Sequence, residues 1–297
     1  MKQIVILSGK GGTGKTSVAA AFAHLAAMDG DQRRAVLVDA DVDASNLELV
    51  LAPRVLETHD FQGGQVAIID QVLCEGCGEC AELCRFDAIS EENGVCTVDP
   101  IACEGCALCF HQCPTQAVQM EEQMAGQWFR SDSRYGPLFH AALFPAQETS
   151  GKLVTLVKQQ GRLLAMDEER DLVLVDGPPG IGCPVISAAA GADLALIVTE
   201  PTAAGIHDMA RALATTQHFG VPSLVCINKA DLYPKGTAEI EGFCEQKGLL
   251  VVGRLPFDTV VTEAMVQGQP VTAYRPDSPV SRALLATWER MLEEVKL

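Results

Sequence analysis

Basic side chains are scarce in this chain: 22 Lys and Arg stand against 39 Asp and Glu, a formal net charge of −17 at pH 7. Nucleic acid and anionic membranes are polyanions, so a chain of this charge is not built to wrap the one or adhere to the other. Long apolar runs are missing too. None reaches the ~18 residues that a membrane span needs, and glycines from Gly9 onward interrupt the opening apolar stretch, so no signal-peptide pattern forms. The expected compartment is the cytoplasm. The histidines, His24, His59, His111, His140, His207 and His218, show no HxxxH or similar ligand spacing. Core or surface roles are expected of them.

With 48% apolar residues over 297 positions, disorder and fibrous repeats are excluded. At ~150 residues per domain the length suits two domains with a sizeable core. Short apolar runs at 3–8, 35–39, 172–176, 194–199 and 224–228 each end in polar or turn residues and are separated by helical segments. That pattern predicts an α/β fold with a mostly parallel, doubly wound sheet covered on both faces. Residues 126–151 read as a return connection made of loops.

Cysteine, by contrast, is abundant, at 12 residues, and nine of these lie from Cys74 to Cys113, eight of them in two matching quartets. Cys74, Cys77, Cys80 and Cys84 form C-x2-C-x2-C-x3-C, and Cys103, Cys106, Cys109 and Cys113 repeat it, with Pro114 completing the second copy. Cys74-Glu75-Gly76-Cys77 recurs as Cys103-Glu104-Gly105-Cys106, and Ala88-Ile89 is echoed by Ala117-Val118. Thiolates spaced in this way wrap cubane clusters, and the fourth cysteine of each run is placed to ligate the cluster of the other copy. The spacing therefore predicts two [4Fe–4S] clusters, one on Cys74, Cys77, Cys80 and Cys113, the other on Cys103, Cys106, Cys109 and Cys84. Zinc also binds C-x2-C pairs, but three cysteines at two-residue gaps plus a fourth, twice over, suit it poorly. Cys96, Cys226 and Cys244 sit in apolar or helical surroundings and read as small core residues.

A phosphate loop opens the chain. Gly9, Lys10, Gly11, Gly12, Thr13, Gly14, Lys15 and Thr16 match G-x-x-x-x-G-K-[ST] between a strand and a helix, with Ser17 next in line as a nucleotide-binding candidate. Glycines turn successive N–H groups onto phosphates, Lys15 reaches the β and γ oxygens, and the Thr16 hydroxyl is placed to ligate Mg²⁺. Asp39 and Asp41 end the second strand, Asp176-Gly177-Pro178-Pro179-Gly180 ends another, and Asn228-Lys229-Ala230-Asp231 follows a further buried run.

With Lys10 early in the loop, the sequence resembles the deviant Walker A family of MinD, ParA, Mrp and the nitrogenase iron protein, and more closely those members that carry an inserted ferredoxin domain. The resemblance covers nearly the whole chain. It implies a P-loop ATPase domain over 1–62 and 125–297, with a small α+β ferredoxin-like 2[4Fe–4S] domain inserted at 63–124. It also implies ATP and Mg²⁺ as cofactors, and a nucleotide-sandwich homodimer in which Lys10 reaches the partner's phosphates. Asp41 then helps position the attacking water, and Asp176 holds Mg²⁺ through water. Gly180 reports the γ-phosphate through its N–H, while Asn228 and the backbone near Pro256 hold the adenine. The tetrapeptide ending in Asp231 also fits guanine selection as in GTPases, so ATP is favoured by resemblance alone. Arg85 replaces the proline that often follows the fourth ferredoxin cysteine; no ligand is lost. Cys183 lies seven positions after Asp176, where the nitrogenase iron protein ligates an intersubunit cluster, but a dimer supplies only two such thiols.

Three functions follow as expectations. The first is an ATP-hydrolysing dimer that couples nucleotide state to electron transfer through the clusters. The second is an accessory role in metal–sulfur cluster assembly or delivery, although the C-terminal C-x-x-C of the Mrp scaffolds is missing. The third is a redox-sensing spatial or regulatory switch; for the apolar stripe of the last helical segment, Leu284 to Val295, core packing is the expected use. From 66 to 123 there are 11 acids against Arg85 alone, a net of −10 that leaves −7 for the rest. Two clusters with four thiolates each add roughly −2 apiece. A redox or metal-cluster partner with a basic docking surface is therefore expected.

Overall fold

The computed structural model describes residues 1–28, 35–145, 150–202 and 204–296. In chain order the elements are β1 (Lys2–Ser8), α1 (Lys15–Met28), β2 (Ala35–Asp39), α2 (Leu47–Leu51), β3 (Arg54–Ile69), α3 (Glu79–Leu83), β4 (Ile89–Glu92), β5 (Val95–Val98), α4 (Leu108–Gln112), β6 (Val118–Ser133) and β7 (Gly136–Leu143). There follow α5 (Ser150–Asp167), β8 (Leu172–Pro179), α6 (Cys183–Ala189), β9 (Leu194–Thr199), α7 (Gly205–His218), β10 (Ser223–Ile227), α8 (Pro234–Lys247), β11 (Leu250–Arg254), α9 (Val260–Val266), α10 (Val271–Tyr274) and α11 (Pro279–Val295).

Among the described residues nine strands form one sheet in the order β11-β10-β9-β1-β8-β2-β7-β6-β3. The run from β11 to β7 is parallel. Strands β1, β2, β8 and β9 are buried almost residue by residue, which is why they read as unbroken apolar runs: helices cover both faces. Each parallel strand delivers its last residues to one edge of the sheet, and there Asp39 pairs in register with Asp176.

Two compact units divide the chain. The larger comprises the described residues of Met1–His59, Trp128–Ala142 and Ser150–Leu297; the smaller comprises Asp60–Gln127 with the described part of 143–149. The expectation of loops over 126–151 is corrected: β6, β7 and the start of α5 occupy the described part of that region, residues 146–149 lying outside the description. The reason is chemical. Along β6 buried and wet positions are mixed, so no apolar run announces the strand, and β3 exposes its first seven residues as an edge strand does.

In the larger unit a continuous core joins α1, α11 and one face of the sheet. Leu284, Trp288, Met291, Leu292 and Val295 form the buried stripe of α11, and the Trp288 ring meets Phe22 of α1 at 5.0 Å between centroids. Ser278 caps the helix, its hydroxyl accepting from the Ser281 N–H, and Pro279 starts it. This stripe packs inward, and no helix among the described residues is long and apolar enough to cross a membrane. Trp288→Ala should cost about 3–5 kcal/mol in urea unfolding; a loss under about 1 kcal/mol would show that α11 is not integral to this core.

Candidate functional site: a phosphate loop beside buried carboxylates

The glycine loop joins β1 to α1 where the parallel strands end, the usual place for ligands in open α/β sheets. Gly12 and Gly14 take φ of +77° and +93°. At Gly14 a Cβ would also stand 2.3 Å from Asn228 Nδ2, so both backbone and space demand glycine. The Asn228 amide donates to the Thr13 carbonyl at 2.8 Å and so braces the loop from the end of β10.

Lys15 is buried, and burial pushes its ammonium below the ordinary lysine value, against the pull of Asp176, Asp41 and Asp39. Asp39 organises the segment that follows β2. Its Oδ2 accepts from the Ser45 hydroxyl at 2.7 Å and from the Asn46 and Leu47 N–H groups at 3.1 and 3.0 Å, and its Oδ1 accepts from Asp41 N–H at 3.0 Å. Even so, burial raises Asp39. Asp176 is raised by burial and by the facing Asp39, and Asp41 is pushed up to about 6 by the same two causes in the same order.

The arrangement leaves donors and acceptors open. Asp176 Oδ1 and Thr13 Oγ1 are buried without a hydrogen-bond partner, and the Thr16 hydroxyl bonds to Asp176. A carboxylate oxygen with no donor, beside a loop hydroxyl at a helix start, has the chemistry of a hydrated Mg²⁺ site. Gly180, at φ +93°, donates its N–H to the Ser8 carbonyl at 3.0 Å, so the segment that follows Asp176 is latched to β1.

Beside the loop lies a cavity of about 680 Å³, its open mouth included; Gly12, Gly14, Ser17, Asn228 and Pro256 line it, and so do Phe257 and Met265. The last two were missed in the sequence, which offers no motif for them beyond a position after the end of a buried strand. Asp231 is not among the lining residues: its Oδ1 accepts from the Phe257 N–H at 2.7 Å. Lys10 Nζ lies 2.5 Å from Glu200 Oε1, while Lys229 Nζ holds the other oxygen of that carboxylate at 3.0 Å.

The smaller unit repeats itself in three dimensions. Asp70 and Asp99 each accept from the N–H two residues on, at 2.8 and 2.9 Å, and each caps the turn into its first cysteine. Each copy then leans on the other: Asp70 N–H donates to Ala117 and Asp99 N–H to Ala88, both at 2.8 Å. This exchange carries the end of the second copy to the start of the first. Accordingly Cys113 lines one small cavity together with Cys74, Cys77 and Cys80. Backbone N–H groups point at sulfur, Ala67 to Cys103 at 3.5 Å and Ala88 to Cys84 at 3.4 Å. The Cys113 thiol, raised by burial, is brought below its ordinary value by Thr115 and by backbone donors.

All eight repeat cysteines are free thiols. Among the described residues no group of three or more His, Cys, Asp or Glu closes on a single metal ion; the four thiols line a space instead. Thiols dominate the lining, Cys96 among them, with Glu75 and Glu79 at the same space; a thiol-rich set served by backbone N–H groups fits an iron–sulfur cluster. Cys96, Cys226 and Cys244 are buried, and Cys183 is exposed at the first position of α6.

A family model described as the CobQ/CobB/MinD/ParA nucleotide binding domain matches residues 4–271. The uncharacterized protein MJ0578 of Methanocaldococcus jannaschii is 35% identical over 227 residues, 76% of this chain and 78% of its own. The septum site-determining protein MinD of Bacillus subtilis is 26% identical over 290 residues, 95% and 85% of the two chains. An iron-sulfur cluster carrier protein of Pyrococcus furiosus is 27% identical over 160 residues, 49% of this chain and 53% of its own. Among solved structures, MinD complexed with Mg-ADP from Pyrococcus horikoshii OT3 shares the fold, with a TM-score of 0.62 at 19% identity over 100% and 98% of the chains.

Because Asp41 titrates near 6 in the folded chain and about 4 when unfolded, its contribution to stability is greatest below pH ~4 and is lost as pH rises through about 6. Raised Asp39 and Asp176 act in the same direction. Asp176→Asn should therefore raise the melting temperature of the nucleotide-free protein at pH 7.5, by about 2–5 °C, and flatten its fall with pH. The same change should weaken Mg²⁺-dependent nucleotide binding about tenfold or more. Calorimetry that shows a lower melting temperature with undiminished Mg²⁺-dependent affinity would contradict this assignment.

Proposed function

The chain belongs to the CobQ/CobB/MinD/ParA nucleotide-binding family and is an ATPase, and from that premise we propose that it is a dimeric iron–sulfur protein in which nucleotide state governs electron transfer by two [4Fe–4S] clusters. The observation that carries the reading is the cavity shared by Cys74, Cys77, Cys80 and Cys113, in which the fourth thiol of one repeat meets three of the other. The second set is Cys103, Cys106, Cys109 and Cys84. When bound, each cluster would store and release one electron.

The residues of the chain divide the remaining work. Lys15, Thr13 and the loop N–H groups bind phosphate, and Thr16 and Asp176 hold hydrated Mg²⁺. Asp41 orients the attacking water, and Gly180 exchanges the Ser8 carbonyl for the γ-phosphate. Asn228 lines the cavity beside the loop and Asp231 does not, which favours ATP over a guanine nucleotide. Lys10 is held by Glu200 within its own chain; in a nucleotide-sandwich homodimer it would leave that carboxylate for the partner's phosphates.

Residues 60–127 are then the inserted ferredoxin-like domain. The coupling route is covalent at the least, since β3 leaves two residues after α2 and enters the smaller unit, and β6 returns from it. The concentration of acid around the cysteines favours a redox partner with a basic docking face, and association that slows as salt rises. Cluster delivery has one observation in its favour, the partial similarity to the Pyrococcus furiosus carrier protein. Against it, Cys226 and Cys244 are buried and unpaired.

Anaerobically purified protein should carry about eight iron atoms per chain, and Cys113→Ala or Cys84→Ala should each lower this to about half. Zinc in place of iron would end the cluster reading. The ratio of affinities for a non-hydrolysable ATP analogue and for Mg-ADP should differ about fivefold or more between oxidised and dithionite-reduced protein, because binding linkage is reciprocal; an equal ratio with intact clusters would refute the coupling.

A further inference from the structure

Two buried polar groups, His140 and Ser131, joined to the half-buried Glu48, have no role in the mechanism so far. Glu48, in the first turn of α2, places Oε2 3.0 Å from Nδ1 of His140 on β7. His140 Nε2 lies 2.9 Å from Ser131 Oγ on β6. Ser131 and His140 are 0% and 3% exposed, and the Phe129 ring stacks on the imidazole with centroids 4.9 Å apart. Burial lowers His140 to about 4, so the ring is neutral at physiological pH. A carboxylate only accepts, so the ring proton sits on Nδ1 and Nε2 accepts from the Ser131 hydroxyl. The order Glu–His–Ser is that of an acyl-transfer triad, yet a serine with no exposed surface admits no substrate, which excludes hydrolysis.

The alternative is mechanical. Asp39 holds the Asn46 and Leu47 N–H groups at 3.1 and 3.0 Å, so the carboxylate beside the phosphate loop directly anchors the first turn of α2. Glu48 is the next residue in that turn. An unbroken series of short contacts thus runs from Asp39 through α2 to His140 and then to Ser131. We propose that Glu48, His140 and Ser131 form a positioning relay that sets the β6–β7 hairpin according to the nucleotide state at Asp39 and Asp41. Displacing α2 without β7 would strand a buried Nδ1–H, a penalty large enough to make the hairpin follow. Ser131 lies on β6 (Val118–Ser133), the same strand that runs into the cysteine-bearing unit, so the relay deepens the coupling proposed above and rests on it for its purpose.

Hydrogen exchange of β6 peptides, followed by mass spectrometry on full-length, cluster-loaded protein with Mg-ADP or a non-hydrolysable ATP analogue, tests the relay. Wild-type exchange should change about fivefold or more between the two nucleotides. Glu48→Ala, at a partly exposed side chain, and Ser131→Ala should each cut that response below about twofold while ADP affinity stays as in wild type. His140→Asn, whose amide keeps the Glu48 bond and abandons Ser131, should behave like Ser131→Ala, and the Glu48→Ala/Ser131→Ala double variant should lose no more than either single one. A wild-type β6 indifferent to nucleotide, or variants that respond as wild type does, would overturn the relay. Midpoint potentials of the same wild-type samples separate the two proposals: potentials blind to nucleotide beside a relay-dependent exchange response would sink the redox coupling and leave the relay standing.

Discussion

Two carboxylates in register on adjacent parallel strands, Asp39 and Asp176, are fully buried beside a buried lysine, and the nucleotide end of the molecule is arranged around them. Two like charges at this depth are unstable neighbours; both are driven toward their protonated forms, and Asp41 nearby is drawn up with them. Asp39 is partly compensated by three backbone N–H groups and a serine hydroxyl. Asp176 keeps an oxygen without a donor. Burial thus leaves an electrostatic imbalance of the kind that a hydrated divalent cation offsets, and the phosphate loop, the segment after Asp176 and α2 all adjoin these residues.

The second constraint is the repeat. Hydrogen bonds exchanged between Asp70 and Ala117, and between Asp99 and Ala88, bring the two copies together, and Cys113 of the second copy lines the cavity of Cys74, Cys77 and Cys80 of the first. Gly76 and Gly105, at φ +67° and +64° and with no room for a Cβ, occupy matching positions in the two copies. The charge asymmetry belongs to the same feature. Acidic residues crowd the segment whose sulfur ligands would themselves be anionic, which suits attraction of a basic partner better than internal pairing.

Much of this was legible in the sequence because the signals are local. The phosphate loop, the aspartates at the ends of β2 and β8, the buried runs of the parallel strands and the cysteine spacing are each set within a few residues. What was not legible depends on contacts across the chain. β3 and β6 are 16-residue strands whose polar, half-covered faces resemble loops. Glu48 lies far from Ser131 and His140 in sequence and the three match no spacing rule, and no motif announces that Asp231 accepts from the Phe257 N–H. The lining of the cavity beside the phosphate loop by α9 follows from where the helix packs and from no motif.

The central claim is that ATP and the clusters share one conformational equilibrium. An anaerobic redox titration of the holo-protein, followed by electron paramagnetic resonance with Mg-ADP and then with a non-hydrolysable ATP analogue, tests it most directly. The account predicts that at least one midpoint potential moves by about 50–100 mV between the two nucleotides. Identical potentials in both states, with nucleotide bound and clusters intact, would contradict it.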